Sequence, residues 1–439
     1  MFDYTTDIPI YALATARAPS ALAVTRTSGK NSITLLSKAF SSPGRLIAAA
    51  DKSLLHGYLR DDDGSDIDEV VLAVYREGSG YTGEEAVEIS THGSLAVIDR
   101  LSRRLEELGF RPASKGEFTF RAFMHGRMDL TQAEAVEEIV NSKCESAQER
   151  ALGRLEGRLR GRLESIRASL LDILASIEVQ LDYAEDEILE DWVFPDGEIS
   201  SICAELRRLV ESYSASRIQR DGAKVVLAGP ANAGKSSLFN HLVKEERAIV
   251  SPVAGTTRDY IEAWIDLSGL PVHLYDTAGL RESGDEVEGE GMRRSRALME
   301  DADLVVYLTD PDNPDVPADL DTDRTLVVFS KSDIEHRATS LSFSSVTGEG
   351  IGELVNAIRQ RIGSVPLPGD DMVIDSRRQK EGLERCLACL EAARSNRGQS
   401  ADIMALFFQG ALEELAMLTG EVTNEELLDT LFSKFCLGK

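Results

Sequence analysis

The stretch Gly229-Pro230-Ala231-Asn232-Ala233-Gly234-Lys235-Ser236 decides the fold of the segment around it. It matches the pattern G-x-x-x-x-G-K-[ST], which is typical of a phosphate-binding loop where it joins a strand to a helix. The apolar run 225–228 predicts a buried strand before the loop, and residues 237–243 predict a helix after it. In that setting backbone N–H groups close around phosphates, Lys235 neutralises the outer phosphates, and the Ser236 hydroxyl can bind Mg²⁺.

Composition places the chain among ordinary globular proteins. Its 439 residues, 42% hydrophobic and 28% charged, are enough for roughly two to four domains. It has no apolar run of about 18 residues, so we expect no membrane association. The N-terminus lacks the basic start and apolar core of a secretory signal. Five scattered cysteines suit a reducing compartment, and we predict a cytoplasmic protein.

The net charge of −27 argues against a protein that grips nucleic acid over its whole surface, because such proteins are basic. Any nucleic-acid contact must therefore use a local patch or a partner. One candidate patch is a series of arginines on a predicted helix: Arg150, Arg154, Arg158, Arg160, Arg162 and Arg167. The other interpretation of this series is a solvated helix face, which is the usual fate of mixed-charge helix surfaces.

The first region of the chain has mixed α/β character. Strands are predicted at 21–24, 70–74 and 86–89 from their β-branched residues and flanking turn residues. Residues 94–108 predict a helix, whereas the stretch around His56-Gly57 gives only a loop signal.

Helical periodicity dominates on both sides of the phosphate-binding loop. From Leu152 to Leu181 apolar residues recur at spacings of three and four, which predicts one long amphipathic helix. A second helix is predicted through 199–213, and the pattern returns near Ser376. We therefore predict a helical domain into which the nucleotide-binding domain is inserted. The predicted boundaries are 1–120 (N-terminal domain), 121–217 and 371–439 (helical domain) and 218–370 (inserted domain).

The inserted region carries further elements in order. They are Gly255-Thr256-Thr257-Arg258-Asp259, Asp276-Thr277-Ala278-Gly279, Ser330-Lys331-Ser332-Asp333 and Ser344-Ser345-Val346. An aspartate at a strand end can reach the Mg²⁺ shell, and a following glycine N–H can reach a γ-phosphate. The Asp333 carboxylate can accept from both N1–H and the exocyclic amine of guanine, a donor pair that adenine lacks. Together the elements predict a GTPase.

The residue that many small GTPases use to orient the attacking water is absent. Leu280 stands where a glutamine is expected after the D-x-x-G element, so an acid from the loop 281–290 is the alternative. That loop offers Glu282, Asp285, Glu286, Glu288 and Glu290. No arginine finger is evident, and a monovalent cation held by Asn232 and the loop 251–256 could replace its charge.

The chain resembles the MnmE/TrmE family of tRNA-modifying GTPases along essentially its whole length. The N-terminal segments that carry the resemblance are Tyr81-Thr82-Gly83-Glu84, Glu88 to His92-Gly93, Gly116-Glu117-Phe118-Thr119 and Arg121-Ala122-Phe123. The others are Asp129-Leu130-Thr131-Gln132-Ala133-Glu134-Ala135, the GTPase elements and the terminal Phe435-Cys436-Leu437-Gly438-Lys439. The resemblance implies an α/β and all-α multidomain protein: an α+β folate-binding N-terminal domain, a helical domain and an inserted Ras-like P-loop GTPase domain.

The resemblance also implies an activity and partners. The family binds a tetrahydrofolate derivative, as the 5-formyl or 5,10-methylene form, and forms a homodimer through its N-terminal domain. With an FAD- and NADH-using partner, MnmG or GidA, it forms a heterotetramer or larger assembly. This assembly places an aminomethyl or carboxymethylaminomethyl group on C5 of the wobble uridine of certain tRNAs, with Mg²⁺- and K⁺-dependent GTP hydrolysis.

Matching positions imply a set of site residues. GTP contacts fall at Gly229, Asn232, Ala233, Gly234, Lys235, Ser236, Ser237, Thr256, Thr257, Asp276, Gly279, Ser330, Lys331, Asp333, Ser344, Ser345 and Val346. The K⁺ ligands are Asn232, Ser251, Val253 and Thr256, the Mg²⁺ ligands are Ser236 and Thr257, and the folate contacts are Arg26, Glu88, Arg127 and Lys439. Catalytic roles fall to Glu288 as the water-orienting acid, to Lys235 and Asn232, and to Cys436 in the modification chemistry, for which a buried packing role is the alternative.

Several positions depart from the family pattern. Ser330 replaces the asparagine of N-K-x-D, Arg127 replaces a lysine, and residues 17–21 contain no glycine where the family is glycine-rich. Cys386-x-x-Cys389 falls on a predicted helix without a second pair, which favours core packing over zinc. Thr423-x-x-Glu426 predicts a capping box for the last helix.

Two other functions remain open from the sequence. A ribosome-assembly GTPase switch would share the Gly-Thr-Thr-Arg-Asp and Asp-Thr-Ala-Gly elements. A folate-binding scaffold with a weakened GTPase would explain Ser330.

Overall fold

The computed structural model describes residues 7–142, 145–182, 193–245, 261–267, 270–277, 296–317, 320–335, 341–362, 373–436 and 438. The chain divides into two units, each with its own sheet. The first unit comprises Met1–Glu137, Arg154–Leu174 and Gln409–Lys439. The second comprises Glu138–Gly153 and Ala175–Phe408.

The sheet of the first unit has the strand order β3-β4-β5-β2-β1-β6. Its strands are β1 Ile10–Leu13, β2 Ser20–Ser28, β3 Ser53–Arg60, β4 Asp66–Tyr75, β5 Ala86–Gly93 and β6 Arg111–Pro112. Neighbouring strands are antiparallel except β1 and β6, which run parallel. The three strands predicted from sequence are confirmed as parts of β2, β4 and β5.

The helices that follow in the first half of the chain differ in length. They are α1 Ser32–Ser37, α2 Pro43–Ile47, α3 Leu95–Glu107, α4 Glu117–Met124, α5 Leu130–Asn141, α6 Glu145–Leu155, α7 Arg158–Asp182 and α8 Asp196–Asp221. The predicted helix 94–108 is confirmed as α3. One face of the first sheet packs against α1 and α3, burying Leu72 and Ile89 against Ile33 and Leu101. Because strand side chains alternate between faces, Arg26 and Glu88 lie on the other face of the sheet.

The loop predicted around His56-Gly57 is wrong, because these residues lie in strand β3. Gly57 pairs with Val70 of β4, and a Cβ on Gly57 would come within 2.6 Å of the Phe40 ring. A glycine in a strand often marks such a close approach. This edge strand is held by pairing with β4, the next strand in the chain, and by packing on Phe40, so local propensity does not reveal it.

The single long helix predicted from Leu152 to Leu181 is also wrong, because it breaks into α6 and α7 at Gly157. Gly157 has φ +88° and donates its N–H to the carbonyl of Arg154 at 2.9 Å. A left-handed glycine with such a bond is a common helix terminator. The apolar spacing continues across the break, which is why periodicity alone missed it.

The arginine series is not a uniformly solvated face. Arg150 and Arg154 are only 9% and 1% exposed. The exposed members pair with acids: Arg158 with Glu156, Arg160 with Glu164 and Arg167 with Glu421. Both sequence interpretations therefore fail for the first two arginines, and charge pairing weakens the patch formed by the others.

The second unit holds a five-stranded sheet of order β11-β10-β7-β9-β8, parallel except for the edge strand β8. Its elements are β7 Ala223–Ala228, α9 Lys235–Glu245, β8 Ile261–Asp266, β9 Pro271–Asp276, β10 Leu304–Thr309, β11 Thr325–Phe329 and α10 Ile351–Ile362. The P-loop therefore follows the central strand, at the carboxyl edge where open α/β sheets bind ligands. The apolar residues before Ser344 predict a strand, but the described residues there form only one bridge, from Ser342 to Phe329.

The last helices are α11 Arg377–Ser395, α12 Ala401–Thr419 and α13 Glu425–Phe432. Helix α11 packs along α8, with Cys386 and Leu383 buried. The core-packing interpretation of Cys386 is confirmed, and the described residues contain no cluster of His, Cys, Asp or Glu suited to a metal. Among the described residues, no helix is both apolar enough and long enough to cross a bilayer.

Candidate functional site

The P-loop is shaped by backbone conformations that few residues adopt. Gly229 has φ +135°, and a Cβ there would lie 2.4 Å from the carbonyl oxygen of Leu308. Only glycine fits this approach to β10. Asn232 has φ +61° and is exposed at the tip of the loop, and Gly234 has φ +88° just before α9. The loop thus turns its backbone around the start of the helix, as phosphate binding requires.

The P-loop lysine is held inside its own loop. Lys235 is 5% exposed, and its Nζ donates to the carbonyls of Gly229 at 3.0 Å and Pro230 at 2.7 Å. Ala233 is buried beneath the loop, while Ser237 is exposed on the first turn of α9. The ammonium therefore already lies in the loop, where it can neutralise the charge of an outer phosphate.

Two oxygen ligands suited to Mg²⁺ meet beside the lysine. The Ser236 hydroxyl donates to Asp276 Oδ2 at 2.7 Å, and Asp276 is 1% exposed at the end of β9. Thr277 fixes this strand end by donating to the carbonyl of Leu227 at 2.8 Å. A hydroxyl and a carboxylate are oxygen donors that Mg²⁺ accepts, so these residues fit the ion. Ser236 and Asp276 would hold it directly or through water, and the bound ion would supply charge at the phosphates.

The predicted guanine reader lies on an ordered turn. Lys331 has φ +60° and donates from Nζ to Asp310 Oδ2 at 2.9 Å. That bond raises the pKa of Lys331, so the ammonium stays charged. Burial opposes ionisation of Asp310, but hydrogen bonds from Lys331 and Asn313 outweigh it and hold its pKa below the usual value. Asp333 is exposed on the same turn, where its carboxylate is accessible to a base.

Ser330 donates two hydrogen bonds to the neighbouring strand β10. The side chain is 1% exposed, with Oγ donating to the carbonyl of Thr309 at 3.0 Å and the backbone N–H donating to the same oxygen at 2.8 Å. A Cβ built on Gly234 would lie 3.8 Å from Ser330 Cβ, so the serine faces the P-loop. Serine in place of the family's asparagine thus leaves a short side chain beside the P-loop, with its hydroxyl directed to β10.

The last predicted element forms a capped turn. Ser344 is fully buried, and its Oγ accepts from the N–H groups of Val346 and Thr347, both at 3.2 Å. Val346 is 84% exposed and Ser345 is half-buried. The predicted Ser251, Val253, Thr256, Thr257, Gly279, Glu288 and Lys439 lie outside the described residues.

Three of the predicted folate residues cluster in the first unit. Arg26 and Glu88 are cross-strand partners on β2 and β5, with Nε and Oε1 2.8 Å apart, and each side chain is partly exposed. The Arg26 guanidinium lies 5.6 Å from the ring centroid of Tyr81. A Cβ on Gly83 would be 3.2 Å from Arg127 Cδ, so Arg127 borders the same 81–84 loop. This set offers a cation, a carboxylate and an aromatic ring, which fits the polar ring system of a folate.

A buried ion network behind this loop was missed from sequence. Arg121 is 1% exposed in its side chain and lies 3.2 Å from Glu84 and 3.0 Å from Glu117. Arg111 also binds Glu117 at 2.6 Å, and Ser28 donates to Glu84 at 2.7 Å. The four-residue spacing of Glu117 and Arg121 was the available signal, since such pairs meet on one helix face.

The C-terminal segment corrects two sequence interpretations. Asn424 caps helix α13 by accepting from the Leu427 N–H at 2.8 Å through its side chain, so the predicted cap at Thr423 is wrong. Phe432 packs edge-on against Phe120, with ring centroids 5.5 Å apart. Cys436 is exposed beyond this packing, which contradicts the buried alternative.

Family models match both the N-terminal and the helical parts. The model described as the MnmE helical domain matches residues 130–436, which span the P-loop region, and that of the GTP-binding protein TrmE N-terminus matches residues 9–127. The chain belongs to the MnmE/TrmE family. This membership confirms the predicted resemblance and the multidomain α/β and all-α fold class.

Full-length relatives support the same conclusion. The tRNA modification GTPase MnmE of Treponema denticola is 40% identical over 468 residues, covering 99% of each chain. The protein of that name from Thermus thermophilus is 40% identical over 435 residues, covering 98% of this chain and 99% of its own. Among solved structures, the G domain of the T. maritima FeoB iron transporter matches 32% of this MnmE/TrmE chain at 25% identity. The match covers 99% of that structure. The TM-score of the superposition is 0.23, which is too low to support a structural inference.

Proposed function

We propose that the protein is a GTP hydrolase that acts in tRNA modification. The observation that carries this proposal is the contact between Ser236 of the P-loop and Asp276 at the end of the neighbouring strand. It brings a hydroxyl and a carboxylate together beside Lys235, where Mg²⁺ and the phosphates of GTP would bind. The near-complete match to relatives named tRNA modification GTPases supplies the biological context.

We further propose the modification that the family resemblance implies. A tetrahydrofolate derivative would bind at Arg26, Glu88, Arg127 and Lys439 and supply one carbon, and an FAD-binding partner would supply the redox chemistry. The product is an aminomethyl or carboxymethylaminomethyl group on C5 of the wobble uridine. The paired guanidinium and carboxylate beside Tyr81 favour this assignment. The proposed organisation is a cytoplasmic homodimer joined to its partner in a heterotetramer or larger assembly.

We assign the GTPase machinery as the sequence predicts it. Mg²⁺ is held at Ser236 and Thr257, and K⁺ at Asn232, Ser251, Val253 and Thr256. Glu288 orients the attacking water, and Cys436 contributes to the modification chemistry. The positive φ and exposure of Asn232 leave its side chain accessible at the loop tip, which supports a ligand role. The domain boundaries at 1–120, 121–217, 218–370 and 371–439 remain part of the proposal.

A folate-binding scaffold with a weakened GTPase is the second candidate. The observation that favours it is Ser330, whose hydroxyl is bonded to Thr309 on β10. GTP turnover near zero together with intact folate binding would select this candidate over the first.

Replacing Glu288 with Ala is expected to abolish complementation of a deletion strain. Removing a residue that positions the attacking water costs several orders of magnitude in rate, and modification coupled to hydrolysis would stop with it. The measurement is nucleoside analysis of tRNA from the deletion strain carrying either the wild type or the variant. Wild-type levels of modified wobble uridine in the deletion strain itself would contradict the proposed function. Full rescue by the variant would contradict coupling to hydrolysis.

GTP hydrolysis is expected to be much faster in K⁺ than in Na⁺ at equal ionic strength. A site lined by an amide, hydroxyls and carbonyls selects a cation by its size, and only a well-fitted cation stabilises the charge developing between the phosphates. Initial rates of phosphate release measured in matched chloride buffers test this expectation. An Asn232→Ala variant should lose the difference, and equal wild-type rates in the two salts would refute the cation site.

A further inference from the structure

The acidity of the chain requires a local site for any contact with RNA. At a net charge of −27, long-range attraction to a polyanion is absent. The arginine series predicted from sequence is poorly suited, because Arg150 and Arg154 are buried. A different group of arginines, in the second unit, lines one cleft and includes Arg397, which forms no ion pair with any described residue.

A cleft of about 380 Å³ lies beside the packed helices α8 and α11. It is lined by Asp196, Arg207, Glu391, Arg394, Ser395 and Arg397. Three guanidinium groups face two carboxylates, which gives the lining a net charge of +1 within a strongly acidic protein. The Ser395 hydroxyl donates to the carbonyl of Glu391, so the arginines are the groups in the lining that can bind an anion.

Ion pairs hold two arginines of this cleft in place but do not occupy all of their N–H donors. Arg207 binds Glu391 through Nη2, and Arg394 binds Asp196 through Nε at 3.1 Å. A guanidinium has five N–H donors, so each of these pairs leaves further donors for another acceptor. Arg397, exposed just beyond the end of α11, has no hydrogen bond or ion pair with any residue in the described ranges.

The field of two of these arginines converges on one buried point. Burial raises the pKa of the Cys203 thiol, and the positive charges of Arg207 and Arg394 act on it in the opposite direction. Arg207, Arg394 and Arg397 line the same cleft, and each guanidinium is a planar set of donors that suits phosphate oxygens.

We propose that this cleft binds a backbone phosphate of an RNA substrate. The inference rests on the proposed tRNA function and adds a binding site to it. Arginine contacts to phosphates position nucleic acids without reading sequence. A net charge of +1 is too small to hold a free anion tightly, but it suits one contact among several along a polyanion. Helix α8 rises about 21 Å from Arg207 to Asp221, where it leads into the P-loop strand.

Replacing Arg397 with Ala is expected to weaken tRNA binding by the full-length protein about three- to tenfold. Loss of one phosphate contact should also reduce the slope of log affinity against log salt concentration by about 0.7 to 0.9. Fluorescence anisotropy with an unmodified, labelled tRNA transcript over a salt series measures both quantities. Arg397→Lys, which keeps the charge, should retain most of the slope. Arg208→Ala is the matched control, because Arg208 is exposed on α8 next to Arg207 but does not line the cleft.

The outcomes separate this site from the proposed function. Wild-type affinity and salt slope in Arg397→Ala, with normal binding by the wild type, would overturn the cleft and leave the tRNA function intact. Equal RNA binding by both proteins, with ³¹P broadening of inorganic phosphate lost only in the variant, would assign the cleft to a free anion and overturn the RNA phosphate. Failure of the wild type to bind any tRNA would overturn both proposals.

Discussion

Replacing Asp333 with Asn is expected to lower the affinity for GTP on the order of 10²- to 10⁴-fold. The carboxylate would accept two hydrogen bonds from guanine, each worth about 1.5–3 kcal/mol when the acceptor is charged. The variant should gain relative preference for xanthosine triphosphate, because the asparagine amide can donate to the C2 carbonyl that xanthine has instead of an amine. Isothermal titration calorimetry with GTP and XTP in the presence of Mg²⁺ measures both changes.

The matched control for this experiment is Asp312→Asn. Asp312 is 82% exposed and lies 3.6 Å from Lys331, so the control removes the same charge beside the same lysine. If Asp333 reads the base, the Asp312 variant should bind GTP nearly as the wild type does and should not favour XTP. An Asp333→Asn protein that binds GTP as tightly as the wild type would contradict the guanine assignment.

Replacing Arg121 with Met is expected to destabilise the first unit by about 3–5 kcal/mol. The substitution leaves the Glu84 carboxylate without its buried cation, whereas Glu117 keeps its ion pair with Arg111. Breaking a buried ion pair costs this much because the remaining charge stays desolvated. Amides of β2 and β5 should then exchange with solvent on the order of 10²- to 10⁴-fold faster in hydrogen-exchange mass spectrometry, if they exchange through opening of the unit.

The chain supplies an internal reference for this measurement. Strands β7 and β9 lie in the second unit, so exchange of their amides should stay close to the wild-type rate. Arg17→Met is the matched control, because Arg17 forms an exposed pair with Asp99 and such pairs contribute little. Unchanged exchange of β2 and β5 amides in Arg121→Met would show that the network adds no stability.

Some features could be predicted because their chemistry is local in the chain. The P-loop needs glycine at Gly229 and a lysine at the start of α9, and both residues lie within one stretch of eight residues. Asp276 ends a buried strand that its own apolar residues identify. The spacing from Lys331 to Asp333 indicates a base reader without knowledge of any distant contact.

Other features depended on contacts between different segments of the chain. Strand β3 was invisible at Gly57 because β4 and Phe40 stabilise it from outside. The buried position of Arg121 depends on Glu84, which lies 37 residues earlier and comes from another element. Neither propensity nor periodicity records such contacts, because both are sums over neighbouring residues.

The sequence by itself determined the order of the GTPase elements, the family and the chemistry of each predicted side chain. Only the tertiary structure decided which charged groups are buried and which share a surface. Arg207 and Glu391 line one cleft although they are 184 positions apart in the sequence. Arg150 and Arg154, by contrast, are buried. Charge type is encoded locally, but solvent exposure and proximity depend on how distant helices pack, and those two properties decide what a charge can bind.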